Sequence, residues 1–221
     1  VRRSLWWPVA ALLVVAAVAW LWPRPDAGPA IVVPAAEVAT ARAQLDGLAV
    51  KGRAAKTGYD REQFGDGWAD VDGDGCSTRD EVLARDLTAL ELDGCRVLAG
   101  TLLDPYGGTE IAFSRDRAED VQIDHVVALA DAWQKGAQQW TPAQRAAFAN
   151  DPLNLLAVDG GLNQAKGAGD AATWLPPARS YRCPYAIRQV AVKAKWGLWV
   201  TAAERDALAR ELGRCRTAAG G

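Results

Sequence analysis

His125 is the only histidine of the 221-residue chain, and it follows Asp124 within the β-branched, apolar stretch 121–129. A neutral imidazole is the side chain best suited to take a proton from water near neutral pH, which makes His125 a candidate general base. Asp124 offers an anionic oxygen beside it, and Asn163 a neutral one farther along the chain. Two protein oxygens make a thin metal site. Such a site suits Mg²⁺ (or Mn²⁺), since magnesium keeps several waters and recruits phosphate oxygens as its remaining ligands. An ion held there stabilises developing charge on a phosphodiester and its leaving oxygen. Asn154 is placed to hold the imidazole ring by a hydrogen bond, and Lys166 to meet a phosphate. A lone histidine more often fills a structural hydrogen bond. The ordered set Asp-His, Asn and Asn-x-x-Lys-Gly is more specific and favours one metal-assisted phosphodiesterase site.

These residues need elements to carry them. The run 121–129 reads as a buried strand. Successive strand residues face opposite sides, so Asp124 and His125 share a site only where the strand ends and the backbone turns. Residues 153–158 form a second apolar run, 159–161 a turn, and 162–168 can open a helix. Strand, strand, helix is a ββα arrangement. Two helices are expected between the strands, one over 128–139 and one opened by the cap and first-turn proline of Thr141-Pro142-Ala143-Gln144. Upstream, helices are expected over 36–48 and 78–90, and two hairpin strands over 96–103 and 109–113 around Asp104-Pro105-Tyr106-Gly107-Gly108. Helices over 184–196 and from the capping box Thr201/Glu204 to 212 close the chain.

A second constellation stands apart. Asp70, Asp72, Asp74, the glycine at 75 and Glu81 satisfy the spacing of a calcium-binding loop residue for residue, so Ca²⁺ is an expected ligand there. Against this, the preceding segment is glycine-rich and not convincingly helical. The same residues also suit an Asp/Gly turn that only caps the next helix.

Formal net charge is −2, which argues against a protein that holds nucleic acid by bulk positive charge, though not against a nuclease whose metal supplies charge locally. Basic residues gather late, at Arg179, Arg182, Arg188, Lys193 and Lys195, as a local patch or a solvated helix face. Arg2 and Arg3 precede an apolar run, so residues 1–22 read as a signal peptide or a membrane anchor. Tryptophans at both ends favour an anchor, and Ala17-Val18-Ala19 favours cleavage. Both routes place the rest outside the cytoplasm, secreted or N-terminally anchored, with membrane contact only through that segment. Residues 23–35 read as a Pro/Ala-rich tether, 36–216 as the folded domain and 217–221 as a disordered tail. The four cysteines lack metal-knuckle spacing, and their even number in an exported chain suggests two disulfides. More than one pairing is open. Cys76–Cys95 and Cys183–Cys215 are favoured because each brackets a short helical module.

Asp124-His125, Asn154 and Asn163-Gln164-Ala165-Lys166-Gly167 resemble the Asp-His, Asn and Asn-x-x-Lys-Gly elements of HNH (ββα-metal) endonucleases. The wider chain, from Lys51-Gly52-Arg53 through Cys76-Ser77-Thr78-Arg79 and Trp174-Leu175-Pro176-Pro177 to Cys215, is similar to exported bacterial HNH proteins related to the C-terminal domain of GmrSD-type restriction endonucleases. The resemblance implies an α+β fold: an HNH core with an added hairpin and surrounding helices. It implies that Asp124 and Asn163 hold the metal, that His125 activates water and that Asn154 orients it. The expected activity is one-metal, histidine-based hydrolysis of nucleic-acid phosphodiesters, with DNA as the expected partner and no protein partner indicated. The alternative is a non-catalytic, disulfide-bonded envelope module that binds a surface partner, with or without calcium, keeping the core only as a scaffold.

Overall fold

The computed structural model describes residues 31–65 and 67–218. The expected leader, most of the tether and the end of the tail lie outside them. The fold is α+β. Its elements run β1 (Val32–Val33), α1 (Ala35–Gly47), a 3₁₀ turn (Arg61–Phe64), α2 (Thr78–Asp86), β2 (Leu87–Asp93), β3 (Arg96–Leu103), β4 (Glu110–Ser114), β5 (Val121–His125), α3 (Leu129–Gln134), α4 (Pro142–Ala149), β6 (Leu155–Asp159), α5 (Gly160–Lys166), α6 (Arg182–Trp196), α7 (Ala202–Gly213) and β7 (Arg216–Thr217). Among the described residues no helix is long and apolar enough to cross a membrane.

The centre is a two-stranded antiparallel ribbon, β5 against β6, with Asp124 opposite Leu156 and His125 opposite Leu155. Period-two alternation splits its side chains between two faces. Val121, Ile123, Leu155 and Ala157 point into a core shared with Val82, Leu83 and Phe113 of α2 and the separate sheet β2-β3-β4. Leu156 and Val158 face Tyr106 and, from α6, Tyr185. Helices α1, α6 and α7 bury a third apolar cluster around Leu45, Val190 and Leu208.

Both disulfides form as expected, Cys76–Cys95 and Cys183–Cys215. The capping boxes at Thr141/Gln144 and Thr201/Glu204 also form, and each starts its helix at the expected place. Three expectations are corrected. The helix expected over 78–90 ends at Asp86, because Leu87–Asp93 pairs with Arg96–Leu103 through a tight turn at Gly94, where φ is +59°. Cross-strand pairing outweighs the helical preference of that segment. The helix expected over 128–139 breaks after Gln134 at Gly136, whose φ of +136° only glycine adopts readily, and a 3₁₀ turn follows. Finally, the ends are not all loose: Val32–Val33, at the end of the expected tether, pairs in parallel with Arg216–Thr217, beside the Cys183–Cys215 bridge.

A buried ionic cluster fixes α3 behind the end of β5. Lys135 lies 2.6 Å from Asp131, 2.8 Å from Asp170 and 2.7 Å from Glu204, while Lys193 lies 3.0 Å from Asp131 and 2.9 Å from Glu204. Arg53 reaches Asp131 and Asp170 from the rim. Three cations therefore face three carboxylates, which is the condition for burying charge without a large uncompensated desolvation cost. Lys193, read in the sequence as part of a basic patch, belongs to this cluster.

Candidate active site

The ribbon delivers Asp124 and His125 to one cleft because β5 ends there and its backbone is turned by Asn154. That residue is fully buried: its side-chain oxygen accepts from Val127 N at 2.8 Å and its amide donates to Val127 O at 3.2 Å. Val126 N donates to Asn154 O at 2.8 Å, prolonging the ribbon by one bond. Asn154 was expected to hold the imidazole ring. Its side chain instead grips the main chain two residues beyond His125, so it acts on the histidine through the backbone.

The ring has other partners. His125 Nε2 lies 2.8 Å from the Ala149 carbonyl, at the end of α4. A carbonyl only accepts, so Nε2 carries the hydrogen and Nδ1 of the neutral ring keeps its lone pair. Trp68 lies nearly parallel to the imidazole, 10° off, with centroids 5.7 Å apart. Only 6 % of His125 is exposed. Burial pushes its pKa from 6.5 down to about 3, against the pull of the Ala149 carbonyl, which favours the charged ring. The imidazole is neutral at physiological pH.

Asp124 is held at both oxygens, Oδ1 by Lys166 Nζ at 2.8 Å and Oδ2 by the Tyr106 hydroxyl at 2.6 Å. Burial raises its pKa, and Lys166 and Tyr106 pull it back. Each carboxylate oxygen retains lone-pair capacity after one hydrogen bond. Lys166 was expected to meet a phosphate. Its side chain is fully buried, however, and its ammonium also donates to the His125 carbonyl at 2.8 Å. It is an internal brace beneath the site.

Helix α5 brings up the last candidate. Asp159 caps it by accepting from Leu162 N, and Gly160 lets it start tight against the chain, since a Cβ there would sit 2.0 Å from the Glu119 carbonyl. Asn163 and Lys166, three residues apart, then share the face toward β5. Asn163 Nδ2 donates to Gln122 Oε1 at 2.9 Å, while Gln122 Nε2 turns to the Glu119 carbonyl. That arrangement leaves Asn163 Oδ1 without a hydrogen-bond donor among the described residues. Gln122 lies two positions before Asp124 and so on the same strand face, a relation that strand alternation makes visible in the sequence.

Asp124, His125 and Asn163 line a single cleft of about 580 Å³, together with Lys56, Arg61 and Arg79. Arg79 also donates to the Ala118 and Val121 carbonyls, and burial, reinforced by Arg115, lowers its pKa. The cleft's cations thus come from the first half of the chain. None of the late basic residues lines this cleft: Arg182 bonds the Pro176 carbonyl, Arg188 the carbonyls of Pro152, Leu153 and Leu155, and Lys195 pairs with Asp151.

Residues 78–211 match the family described as GmrSD restriction endonucleases, C-terminal domain. The chain belongs to that family. It is also 42 % identical over 179 residues, 80 % of this chain and 85 % of the relative, to an uncharacterized secreted protein of the fungus Arthroderma benhamiae. No solved structure matches. The family is nuclease-related, and its matched span holds Asp124, His125, Asn154, Asn163 and Lys166. Lys56, Arg61 and Trp68, which also line the cleft, lie before that span.

The acidic loop also lies before the span. Asp70, Asp72 and Asp74 bring one carboxylate oxygen each within 4.8 Å of the others, all exposed. Asp70 accepts from Gly73 N and Gly75 N, and Asp74 from Cys76 N, so backbone donors brace the loop internally. Glu81 sits in the first turn of α2, its pKa raised by burial and then by the three aspartates.

Proposed function

We propose that this protein is an exported, metal-dependent endonuclease of the HNH type, hydrolysing phosphodiester bonds of nucleic acid, DNA in the first instance. One observation carries the reading: the Asp124 carboxylate, the neutral imidazole of His125 and the donor-free oxygen of Asn163 converge on one open cleft. The donor set fits a magnesium or manganese ion, with one carboxylate and one carboxamide oxygen and room for waters and phosphate. When bound, such an ion supplies charge to the phosphate and the departing oxygen.

The chain's own groups account for the rest. His125 Nδ1 takes the proton of the attacking water, and the Ala149 carbonyl, bonded to Nε2–H, steadies the ring as it becomes charged. An anionic phosphate beside the ring raises its proton affinity toward the working range. Lys166 and Tyr106 hold the Asp124 carboxylate in place, Gln122 holds the Asn163 amide, and Asn154 holds the turn that presents all of them. Arg61 and Lys56 offer the phosphate its first positive charge. Export is supported by two disulfides, which persist in oxidising compartments, and by a relative named as secreted.

The deciding experiment is plasmid nicking by the purified protein with Mg²⁺, with Mn²⁺ and with chelator, comparing wild type with His125→Ala and Asn163→Ala. Metal-dependent nicking that is abolished in both variants is the expected result. Nicking that persists at the wild-type rate in His125→Ala removes the mechanism.

A further inference from the structure

Beside the main cleft lies a second hollow of about 530 Å³, and the two share Arg61, Trp68, His125 and Leu129 as a common wall. Their chemistry differs. The main cleft carries Lys56, Arg61 and Arg79, and its carboxylate, Asp124, is already matched by Lys166. The hollow instead carries Asp60 and Glu62 against the shared Arg61, with the partly exposed Trp68 as its apolar surface; Phe64 borders it but is packed into the core.

A nucleotide has the same two-part character: an anionic phosphate joined to a flat, uncharged base with a hydrogen-bonding edge. Two carboxylates repel a second phosphate, whereas the Trp68 indole and acceptor oxygens suit a base. We propose that the hollow receives the nucleobase next to the phosphate held in the cleft, and that Glu62 selects bases bearing an exocyclic amino group. This deepens the endonuclease reading and rests on it.

The two acids are not equivalent. Asp60 Oδ1 accepts from Glu62 N as the cap of the 3₁₀ turn, which fixes its position. The Glu62 side chain has no hydrogen-bond or ion-pair partner among the described residues, so its carboxylate is free to accept. A carboxylate accepts and never donates. Adenine, cytosine and guanine present an exocyclic amino group to it, while thymine and uracil present only the ring N3–H, flanked by two carbonyl oxygens that a carboxylate repels. A base inside a duplex is stacked and cannot enter a side hollow, so the selected nucleotide is single-stranded or swung out of its stack.

The test is cut-site mapping. The full chain with Mn²⁺ digests single-stranded DNA of mixed sequence, and the ends are sequenced. At one position fixed relative to the cut, thymine is expected to be depleted about fivefold in the wild type. Glu62→Ala should reduce that depletion to less than about twofold, and Glu62→Gln, which adds a donor for a carbonyl oxygen, should raise the share of thymine further. Matching thermal melts show that the exposed substitution leaves the fold intact. Cutting with no base preference, or with a preference that Glu62→Ala leaves unchanged, overturns the base-binding role while the nuclease reading stands. A wild-type protein that cuts no nucleic acid with any divalent metal overturns both.

Discussion

Lys166 places one ammonium between the Asp124 carboxylate and the His125 carbonyl, 2.8 Å from each, so a single buried cation braces both candidate residues. Lys166→Met leaves the Asp124 charge buried with only Tyr106 beside it. Breaking a buried pair in this way costs about 3–5 kcal/mol, to be read from urea unfolding. Replacing both partners, in Lys166→Met with Asp124→Asn, should cost less than the sum of the single changes. Additive costs would mean that the two groups are not coupled.

Asn154 acts on the backbone, and its substitutions should report that. Asn154→Ala removes the partners of the Val127 N–H and carbonyl, both buried, at a cost of about 1–3 kcal/mol for each group left unsatisfied. Cleavage should fall with stability. Nitrogen NMR of the single histidine should still show hydrogen on Nε2, because the Ala149 carbonyl holds it there. A change of tautomer in Asn154→Ala would restore the direct ring contact expected from the motif.

What was legible in the sequence follows from the range of the forces involved. Local signals read true: the capping boxes at Thr141 and Thr201 set their helices through bonds three residues apart, and the apolar runs of β5 and β6 marked the ribbon. Disulfide pairing was legible because each bridge spans a short module, with separations of 19 and 32 residues. Long-range partners were not. Nothing near Lys166 in the sequence says that its ammonium meets Asp124, 42 positions away, instead of solvent. The cleft's cationic wall was missed for the same reason, since Lys56 and Arg61 reach His125 only through tertiary packing. The strand at Leu87–Asp93 was hidden by helix-forming residues, although the Asp93-Gly94 pair was a turn signal that could have revealed it.

The buried ionic cluster predicts how stability depends on pH. Lys193 and Lys135 hold the Asp131 carboxylate down from the ordinary 3.8 to about 2, against the opposing effect of burial. A depressed carboxylate contributes stability above its unfolded pKa, and that contribution is lost as pH falls from 3.8 through about 2. His125 acts earlier and in the same direction. Its folded value of about 3 lies below 6.5, so the unfolded chain binds the extra proton and stability declines as pH drops below 6.5. At the alkaline end, Asp131 and Glu204 raise the Lys193 pKa above 10.5, so its contribution holds below 10.5 and is lost as pH rises through the folded value. Thermal melts of chelator-treated protein should therefore show two acid steps, the upper one absent in His125→Gln. A single step shared by both proteins would show that the imidazole is not held neutral.

Arg61 offers a test of how a chain of formal charge −2 attracts a polyanion. It lines both the cleft and its side hollow, and among the described residues it has no carboxylate partner, so its charge is available to a phosphate. Removing one phosphate contact lowers the slope of log affinity against log salt by about one. Arg61→Gln should show that change when oligonucleotide binding is followed by fluorescence anisotropy across a salt series. KM should rise more than kcat falls, because the contact is made before and during reaction alike. Lys56→Gln should behave in the same way, and the double variant should lower the slope by about two if the cations meet separate phosphates. A double variant no different from Arg61→Gln alone would assign the attraction to Arg61 and leave Lys56 to its contact with the Tyr59 ring, 5.2 Å from the centroid.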